Sequence, residues 1–344
     1  MAPLVAARRP ARSLPPTPVT HLVTPSKTVG LIAAPFSPFH PDRSLNLDAV
    51  EGYAEWLVSQ GVIGAFICGT TGEGMSLTTA ERQRLAERWL AVAPSELKVI
   101  VHVGHTSLGD CVELAAHAQS IGAAAVSCMA PFFFKPADVE TLVDWCDHVA
   151  AAAADLPFYF YNMPSMTGVT VDVSRFLELA EPRIPNLVGA KYTHDDLADF
   201  ARCVKLRDGR FDLLFGRDEI LLQALRAGAR GAVGSTYNFA APVYHAVMRA
   251  FEAGDQEQAE RTQQVAARMI QAFVDCGAHP ITAFKWFMNR LAVDCGPSRL
   301  PLRDPRPEQL DRLQAGLDAS GVWDYVKPRT PIFAAGGTAT GATR

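Results

Sequence analysis

The stretch Leu187-Val-Gly-Ala-Lys191 is an apolar run that ends in a lysine, and the polar segment Tyr192-Thr-His-Asp-Asp196 follows it. An apolar run of this length with a polar turn behind it indicates a buried strand that leads into a helix. In folds built from strand–helix units, reactive side chains collect at the carboxyl ends of the strands. Lys191 lies at that end, whereas Lys98, another of the seven lysines, lies at the amino end of its apolar run. The two lysines are therefore not equivalent.

The same strand–helix pattern recurs eight times between residues 29 and 254, which predicts a (β/α)8 TIM barrel of the α/β class. The predicted strands are Val29–Ala34, Val62–Cys68, Val99–Val103, Ala124–Met129, Phe158–Tyr161, Leu187–Lys191, Phe211–Phe215 and Gly231–Ser235. The predicted helices between and after them are Leu47–Gln60, Thr78 or Thr79 to Ala93, Leu108–Ile121, Val139–Ala153, Val173–Ala180, Leu197–Leu206, Glu219–Ala227 and Ala241–Ala253. A doubly wound open sheet is the alternative, but Pro35-Phe-Ser-Pro-Phe39 is not the glycine-rich turn that such a fold places after its first strand.

Sequence on either side of the barrel has a different character. Residues 255–320 contain three further helical patterns, which predict a C-terminal three-helix appendage packed on the barrel. Residues 1–28 carry arginines and prolines with no acidic residue, which predicts a disordered leader; an organelle transit peptide is the alternative. Residues 321–344 are rich in glycine, alanine and threonine, and we expect a mostly disordered tail there.

Composition excludes several classes of function. A net charge of −4 argues against nucleic-acid binding, because neutralising phosphates requires a basic surface. No apolar run reaches the roughly 18–20 residues of a membrane span. The seven cysteines are widely spaced, which indicates reduced, buried thiols in a cytoplasmic protein without a disulfide or zinc framework. No cluster of ligands with metal spacing follows the strands, so we expect neither a metal nor another cofactor.

A lysine among apolar neighbours loses hydration, and its pKa should fall from about 10.4. The neutral amine can then attack a ketone and form a Schiff base. An exposed lysine that solvates a loop is the alternative interpretation of Lys191.

Other polar residues follow the strands and should meet Lys191 on the same rim of the barrel. The segment Gly69-Thr-Thr-Gly72 can present backbone N–H groups and two hydroxyls to a carboxylate, or it is only a tight turn. Tyr161 can carry a proton, or it is only an aromatic residue on the rim. The adjacent carboxylates Asp218 and Glu219 can hold a polyhydroxyl chain, or they favour a helix dipole. Phe132-Phe-Phe134 indicates packing or an interface.

Three of these segments together resemble a known family. Gly69-Thr-Thr-Gly-Glu73, Tyr161-Asn-Met-Pro164 and Gly189-Ala-Lys191 are similar in order and spacing to motifs of the pyruvate-dependent class I aldolases of the dihydrodipicolinate synthase/N-acetylneuraminate lyase superfamily. The resemblance covers residues 29 to 320. Phe215-Gly-Arg-Asp-Glu219 and Gly231–Asn238 look like the sugar-binding segments of its N-acetylneuraminate lyase branch. This branch cleaves N-acetylneuraminate to N-acetylmannosamine and pyruvate without an external cofactor.

The resemblance implies a role for each matching residue. Lys191 would form the Schiff base, Tyr161 would transfer a proton, and Thr71 is a further candidate for proton transfer. The remaining roles are binding roles: Thr70 and Thr71 for the pyruvyl carboxylate, and Thr193, Gly216, Asp218, Glu219 and Ser235 for the sugar hydroxyls. The implied partners are a small sugar acid and pyruvate, and the implied assembly is a homotetramer.

Three alternatives remain open at the level of sequence. Another pyruvate aldolase or dehydratase of the superfamily, acting on an acid such as 2-keto-3-deoxygluconate, has the same imine residues. Dihydrodipicolinate synthase places an arginine where this chain has Met166, and a thioether cannot replace a bidentate charge. A barrel that only binds sugar acids has no need of Lys191 and Tyr161 together. Many bacterial relatives use a tyrosine in the region of Phe133 to relay a proton, and phenylalanine cannot do so; the proton would then pass through Thr71 or the substrate carboxylate.

Overall fold

The computed structural model describes residues 27–327, and within them eight parallel strands close into a barrel. The strands run in chain order around the barrel, and the first pairs with the last through Gly30↔Gly231 to Ala33↔Gly234. The strands are β1 (Gly30–Ala33), β2 (Gly64–Ile67), β3 (Lys98–His102), β4 (Ala125–Met129), β5 (Phe158–Asn162), β6 (Leu187–Tyr192), β7 (Asp212–Phe215) and β8 (Gly231–Gly234). The predicted TIM barrel is confirmed.

Helices separate consecutive strands and cover the outside of the barrel. The helices of the barrel are α1 (Ala49–Ser59), α2 (Thr79–Val92), α3 (Leu108–Ser120), α4 (Val139–Ala151), α5 (Pro164–Thr167), α6 (Val173–Ala180), α7 (Leu197–Gly209), α8 (Leu221–Arg226) and α9 (Tyr237–Glu252). Side chains of the strands alternate between a large core under these helices and a smaller core inside the barrel. The inner core includes Phe66, Ile100, Met129 and Tyr161, so the barrel is filled by side chains rather than open.

Three more helices form the C-terminal extension, as predicted: α10 (Gln256–Asp275), α11 (Pro280–Leu291) and α12 (Pro307–Ser320). α10 packs along α9 and α12. The side chain of Gln263 on α10 donates to the backbone carbonyls of Asp218 at 3.2 Å and Glu219 at 2.9 Å. The extension therefore reaches the loop after β7, at the same end of the barrel as Lys191.

Most of the predicted leader and tail lies outside the described residues. At their inner ends, Thr28 hydrogen-bonds the carboxylate of Asp212 at 2.7 Å, and Val322–Asp324 form a short 3₁₀ turn against the extension. The division of the chain into leader, barrel, extension and tail stays a prediction. Within residues 27–327 no helix has the length and apolar character needed to cross a bilayer.

Candidate active site

A cavity of about 250 Å³ opens at the carboxyl ends of the strands, around the end of β6. Each loop that borders it follows a strand of the barrel, so residues far apart in sequence meet there. The residues singled out from the sequence all line this cavity: Thr70, Thr71, Tyr161, Lys191, Thr193, Gly216, Asp218, Glu219 and Ser235.

Lys191 is 4% exposed and lies between two aromatic rings. Its Nζ is 3.9 Å from the ring centroid of Phe66 and 4.2 Å from that of Tyr161. Burial lowers the pKa of the amine to about 7, although the nearby Asp218 carboxylate acts in the opposite direction. Close to neutral pH, a large fraction of this lysine is therefore the uncharged amine that can act as a nucleophile. By contrast, Lys98 is exposed at the amino end of β3.

Tyr161 lies beside the lysine with its hydroxyl in the cavity. The phenol shares a 3.2 Å hydrogen bond with the Thr70 hydroxyl, and its ring meets Phe66 and His102 edge to face. Burial raises the pKa of Tyr161 to about 12, and the bond to Thr70 opposes part of that rise. At rest the residue is a neutral phenol, and it can donate its proton to a group formed at Lys191.

The two threonines of the Gly69–Gly72 turn point their hydroxyls at different partners. Thr70 contacts Tyr161, whereas the Thr71 hydroxyl lies 2.6 Å from the Ser235 hydroxyl in the loop after β8. The hydroxyl in contact with the phenol is thus that of Thr70, and a role for Thr71 in proton transfer stays a prediction. Together the turn and Ser235 present a row of hydroxyls suited to a carboxylate or a sugar.

The adjacent carboxylates Asp218 and Glu219 are not equivalent. Asp218 is buried, and one of its oxygens accepts from the backbone N–H and the hydroxyl of Thr236, at 3.0 and 2.6 Å. Its other oxygen, Oδ1, has no protein partner among the described residues. Burial raises the pKa of Asp218 to about 6. Glu219 is half-buried and paired with Arg217 at 2.6 Å. The two carboxylates therefore differ in burial and in partner: Thr236 holds Asp218, and Arg217 holds Glu219.

Gly216 leaves room for the hydroxyl of Thr193. A Cβ atom at Gly216 would lie 2.0 Å from Thr193 Oγ1, far inside van der Waals contact. That hydroxyl is buried at the edge of the cavity. Glycine at this position thus leaves room for the Thr193 hydroxyl beside the Tyr161 phenol, and this neighbour lowers the pKa of Tyr161.

Sequence reasoning missed several residues that shape the site. Phe66 and His102 form the aromatic surroundings of Lys191 and Tyr161, and Thr236 and Arg217 hold the two carboxylates. Both ring nitrogens of His102 are unpaired within residues 27–327, and burial lowers the pKa of this imidazole well below its usual value. Alternation along Val99-Ile-Val-His-Val103 would have placed Ile100 and His102 inside the barrel.

Two residues that entered the comparison with the superfamily lie outside this cavity. Met166 is 55% exposed and lines a second, more apolar cavity of about 330 Å³, together with Thr70, His102 and Phe132. Phe133 is exposed on the same rim. Neither side chain reaches Lys191. Among residues 27–327 there is no group of three or more histidine, cysteine, aspartate or glutamate side chains placed to hold a metal ion.

Several proteins that are similar to this chain in sequence and fold are named as N-acetylneuraminate lyases. The sequence model of the dihydrodipicolinate synthetase family matches residues 27–320. N-acetylneuraminate lyase A of Xenopus laevis is 43% identical over 276 residues, which cover 79% of this chain and 90% of the relative. The human N-acetylneuraminate lyase is 40% identical over 295 residues, 85% of this chain and 92% of that protein.

A solved structure, that of the Aliivibrio salmonicida N-acetylneuraminate lyase, is 38% identical and superposes with a TM-score of 0.83. The match covers 88% of this chain and 99% of that one. The chain therefore belongs to the dihydrodipicolinate synthetase family, in its N-acetylneuraminate lyase branch.

Proposed function

We propose that this protein is a class I aldolase that cleaves N-acetylneuraminate to N-acetylmannosamine and pyruvate through a Schiff base on Lys191. The observation that carries the proposal is the buried amine of Lys191, whose pKa is about 7. It lies in one cavity with Tyr161, the adjacent threonines of the Gly69–Gly72 turn and Asp218. The relatives at 40–43% identity are named for the same reaction.

The first stage joins the sugar to the enzyme. The neutral amine of Lys191 attacks the C2 ketone of the open-chain sugar acid and gives a carbinolamine. Tyr161 donates its phenolic proton to the carbinolamine hydroxyl, which leaves as water. The products are a protonated imine and a phenolate, and the adjacent positive charge stabilises the phenolate in the buried site.

The second stage breaks the carbon skeleton. The Tyr161 phenolate takes the proton of the C4 hydroxyl, the C3–C4 electron pair moves toward the iminium, and the aldehyde N-acetylmannosamine is released. An enamine of pyruvate remains on Lys191. Tyr161 gives the proton that it took from the C4 hydroxyl to C3, which restores an iminium. Water hydrolyses the iminium to pyruvate and the free amine, and the proton released returns to Tyr161. Protons and electrons balance over the cycle without a metal or redox cofactor.

Substrate recognition follows from the two sides of the cavity. The hydroxyls and N–H groups of the turn that holds Thr70 and Thr71 would bind the carboxylate next to the imine. Asp218 and Thr193, which line the cavity, would share hydrogen bonds with the sugar chain, and Glu219 and Ser235 extend this polar wall. A synthase that binds a second carboxylate at position 166 is disfavoured, because Met166 is uncharged and faces the other cavity.

Trapping with borohydride tests the imine directly. Reduction in the presence of pyruvate should add one irreversible adduct per chain, located at Lys191 by peptide mass spectrometry, and Lys191→Met should abolish it. Tyr161→Phe should form the adduct more slowly and lower kcat by about 10²–10⁴-fold, the contribution typical of a general acid–base. An unmodified Lys191, with pyruvate present and the protein folded, would refute the proposal.

The substrate is tested separately by product release. N-acetylneuraminate and 2-keto-3-deoxygluconate are each assayed for pyruvate, and pyruvate with aspartate semialdehyde is assayed for condensation. We expect turnover of N-acetylneuraminate to exceed the others in kcat/KM. A preference for either of the others identifies the neighbouring activity of the superfamily, and binding without turnover identifies a sugar-acid sensor.

We further propose a homotetramer located in the cytoplasm. Exposed Phe133 and Phe134 stand on the same rim as Met75 and Met166, and a set of exposed apolar side chains of this kind supports a contact between subunits. The seven cysteines are free and buried, a pattern that fits a reducing compartment.

A further inference from the structure

Glu73 ends the Gly69–Glu73 motif, yet its carboxylate turns away from Lys191 and toward the C-terminal extension. One oxygen accepts from Lys285 Nζ at 2.8 Å, and the other accepts from the backbone N–H of Arg299 at 2.8 Å. The side chains of Lys285 and Glu73 are 1% and 0% exposed. Both partners come more than 200 residues later in the chain. A fully buried ion pair therefore joins the Thr70–Thr71 turn to the helical extension.

We infer that Lys285 and Arg299 of the C-terminal extension are positioning residues for the keto-acid carboxylate, which act through Glu73 to fix the turn carrying Thr70 and Thr71. This inference rests on the proposed aldolase function. It gives the extension a role in substrate binding, although the side chains of the extension that line the Lys191 cavity are apolar.

The backbone of the turn explains why it needs an anchor. Cys68 and Glu73 bracket the turn, and both adopt left-handed φ values, 59° and 51°. Residues other than glycine adopt this conformation at a cost and persist in it where surrounding contacts hold them. A Cβ atom at Gly74 would lie 1.9 Å from the carbonyl oxygen of Cys68, so the chain doubles back tightly on itself. The bonds to Glu73 are positioned to offset this strain.

Arg299 fastens the same connection at a second point. Its guanidinium donates to the carbonyl of Ser76 at 3.1 Å and to both carboxylate oxygens of Glu81, at 2.8 and 2.6 Å. Lys285 also donates to the carbonyl of Pro297 at 2.9 Å, which ties the lysine to the segment that carries Arg299. The turn between β2 and α2 is thus clamped from one side by the extension.

Changing one member of the pair would leave an unpaired charge in the core, so the test uses a double variant. Glu73→Gln/Lys285→Met removes both charges and keeps an acceptor for the Arg299 N–H. The readout is borohydride trapping at Lys191 as a function of ligand concentration. The two ligands are pyruvate and pyruvamide, which carries the same ketone but a neutral amide instead of the carboxylate.

For the double variant, we expect the half-saturating concentration of pyruvate to rise about tenfold, the factor typical of one weakened charged contact. That of pyruvamide should stay within about twofold. Arg299→Gln keeps the backbone N–H bond to Glu73 and removes the guanidinium contacts with Ser76 and Glu81, so it should shift pyruvate in the same direction by a smaller factor. This variant is the one measured if the double variant does not fold. A matched control, Glu181→Gln/Arg210→Met, removes a half-buried ion pair after α6 and should change neither ligand.

Two results would overturn the inference: unchanged pyruvate saturation in folded variants, or equal weakening of pyruvate and pyruvamide. Circular dichroism and thermal unfolding establish that each variant is folded. Failure of the proposed function looks different, since the unaltered protein would then show no pyruvate adduct at Lys191.

Discussion

At the scale of single residues, Lys191 can act as a nucleophile because burying its ammonium form destabilises the folded protein. Burial lowers its pKa from 10.5 to about 7, so the native protein disfavours the ammonium form that the unfolded chain holds. Burial raises the pKa of the Tyr161 phenol, so this neighbour carries no negative charge at neutral pH. The Asp218 carboxylate is the negative charge that favours the ammonium form of Lys191. The site therefore gains a nucleophile at the expense of stability.

Replacing Lys191 should show, as a function of pH, how much the buried amine lowers the free energy of unfolding. Below pH 7 the ammonium is buried at full cost, and between about pH 7 and 10.5 the unfolded chain binds the proton that the native protein has released. Stability of the unaltered protein should thus rise with pH over this window. Lys191→Met should raise the free energy of unfolding by a few kcal/mol at pH 6, at about 1.4 kcal/mol per pKa unit, and by much less at pH 10.

Denaturant unfolding at the two pH values measures this difference. Lys205→Met, at an exposed position of α7, is the control and should show no such dependence on pH. Equal stabilisation by Lys191→Met at pH 6 and pH 10 would mean that the amine is not desolvated.

The charge of Asp218 should affect the pKa of the Lys191 amine. Its negative charge raises the pKa of Lys191, so Asp218→Asn removes that effect and lowers the pKa below about 7. The rate of borohydride trapping with pyruvate follows the neutral amine, and its half-maximum should move to more acidic pH. Glu219→Gln is the matched control, because Glu219 is paired with Arg217 and its loss should leave the midpoint in place. Identical midpoints in all three proteins would contradict the coupling.

At the scale of elements, the eight strands were predictable because each is a short apolar run bounded by turns, and their observed bounds agree within about two residues. Helix ends carried less information. α7 continues to Gly209, but the predicted end at Leu206 marks the point where regular geometry stops, with ψ of 133°. α9 begins at Tyr237 rather than at the predicted Ala241. Pro242 lies inside this helix, which has a kink at Ala240.

The loop after β7 yields a prediction about specificity. Gly216→Ala should push the Thr193 hydroxyl or the loop itself, because the new methyl group would overlap it. We expect KM for N-acetylneuraminate to rise about tenfold, because the proposed contact of Thr193 with the sugar is displaced, whereas pyruvate has no sugar chain and its trapping should stay within about twofold. Gly52→Ala on α1 meets no atom within 4 Å and is the control; it should leave KM unchanged. Steady-state kinetics decide between loss of sugar binding and general damage.

At the scale of the whole molecule, the sequence predicted which loops meet but not how they are fixed. Strand ends converge in any barrel of this type, so Thr70, Tyr161, Lys191 and Asp218 were predicted to share one rim, and they do. The ion pair between Glu73 and Lys285 joins residues 212 positions apart. No local period specifies that contact, although a lysine inside the apolar run Ala283–Met288 was a signal of it.

The exposed aromatic residues give a prediction about assembly. Phe134 is 86% exposed, and Phe134→Lys should shift the protein from a tetramer to smaller species in light scattering, because a charge would be buried at the contact. Val29→Lys, which changes a 53% exposed residue before β1, should leave the assembly intact. An unchanged molar mass for Phe134→Lys would remove this surface from the interface.

Closure of the barrel through β1 and β8 has a consequence for synthesis of the chain. Gly30 pairs with Gly231, so the first strand leaves the ribosome about 200 residues before its second neighbour exists. At about 5–20 residues per second, one edge of the nascent sheet stays unpaired for roughly 10–40 s. We therefore expect chaperones that shield hydrophobic strands during translation to raise the yield of folded protein.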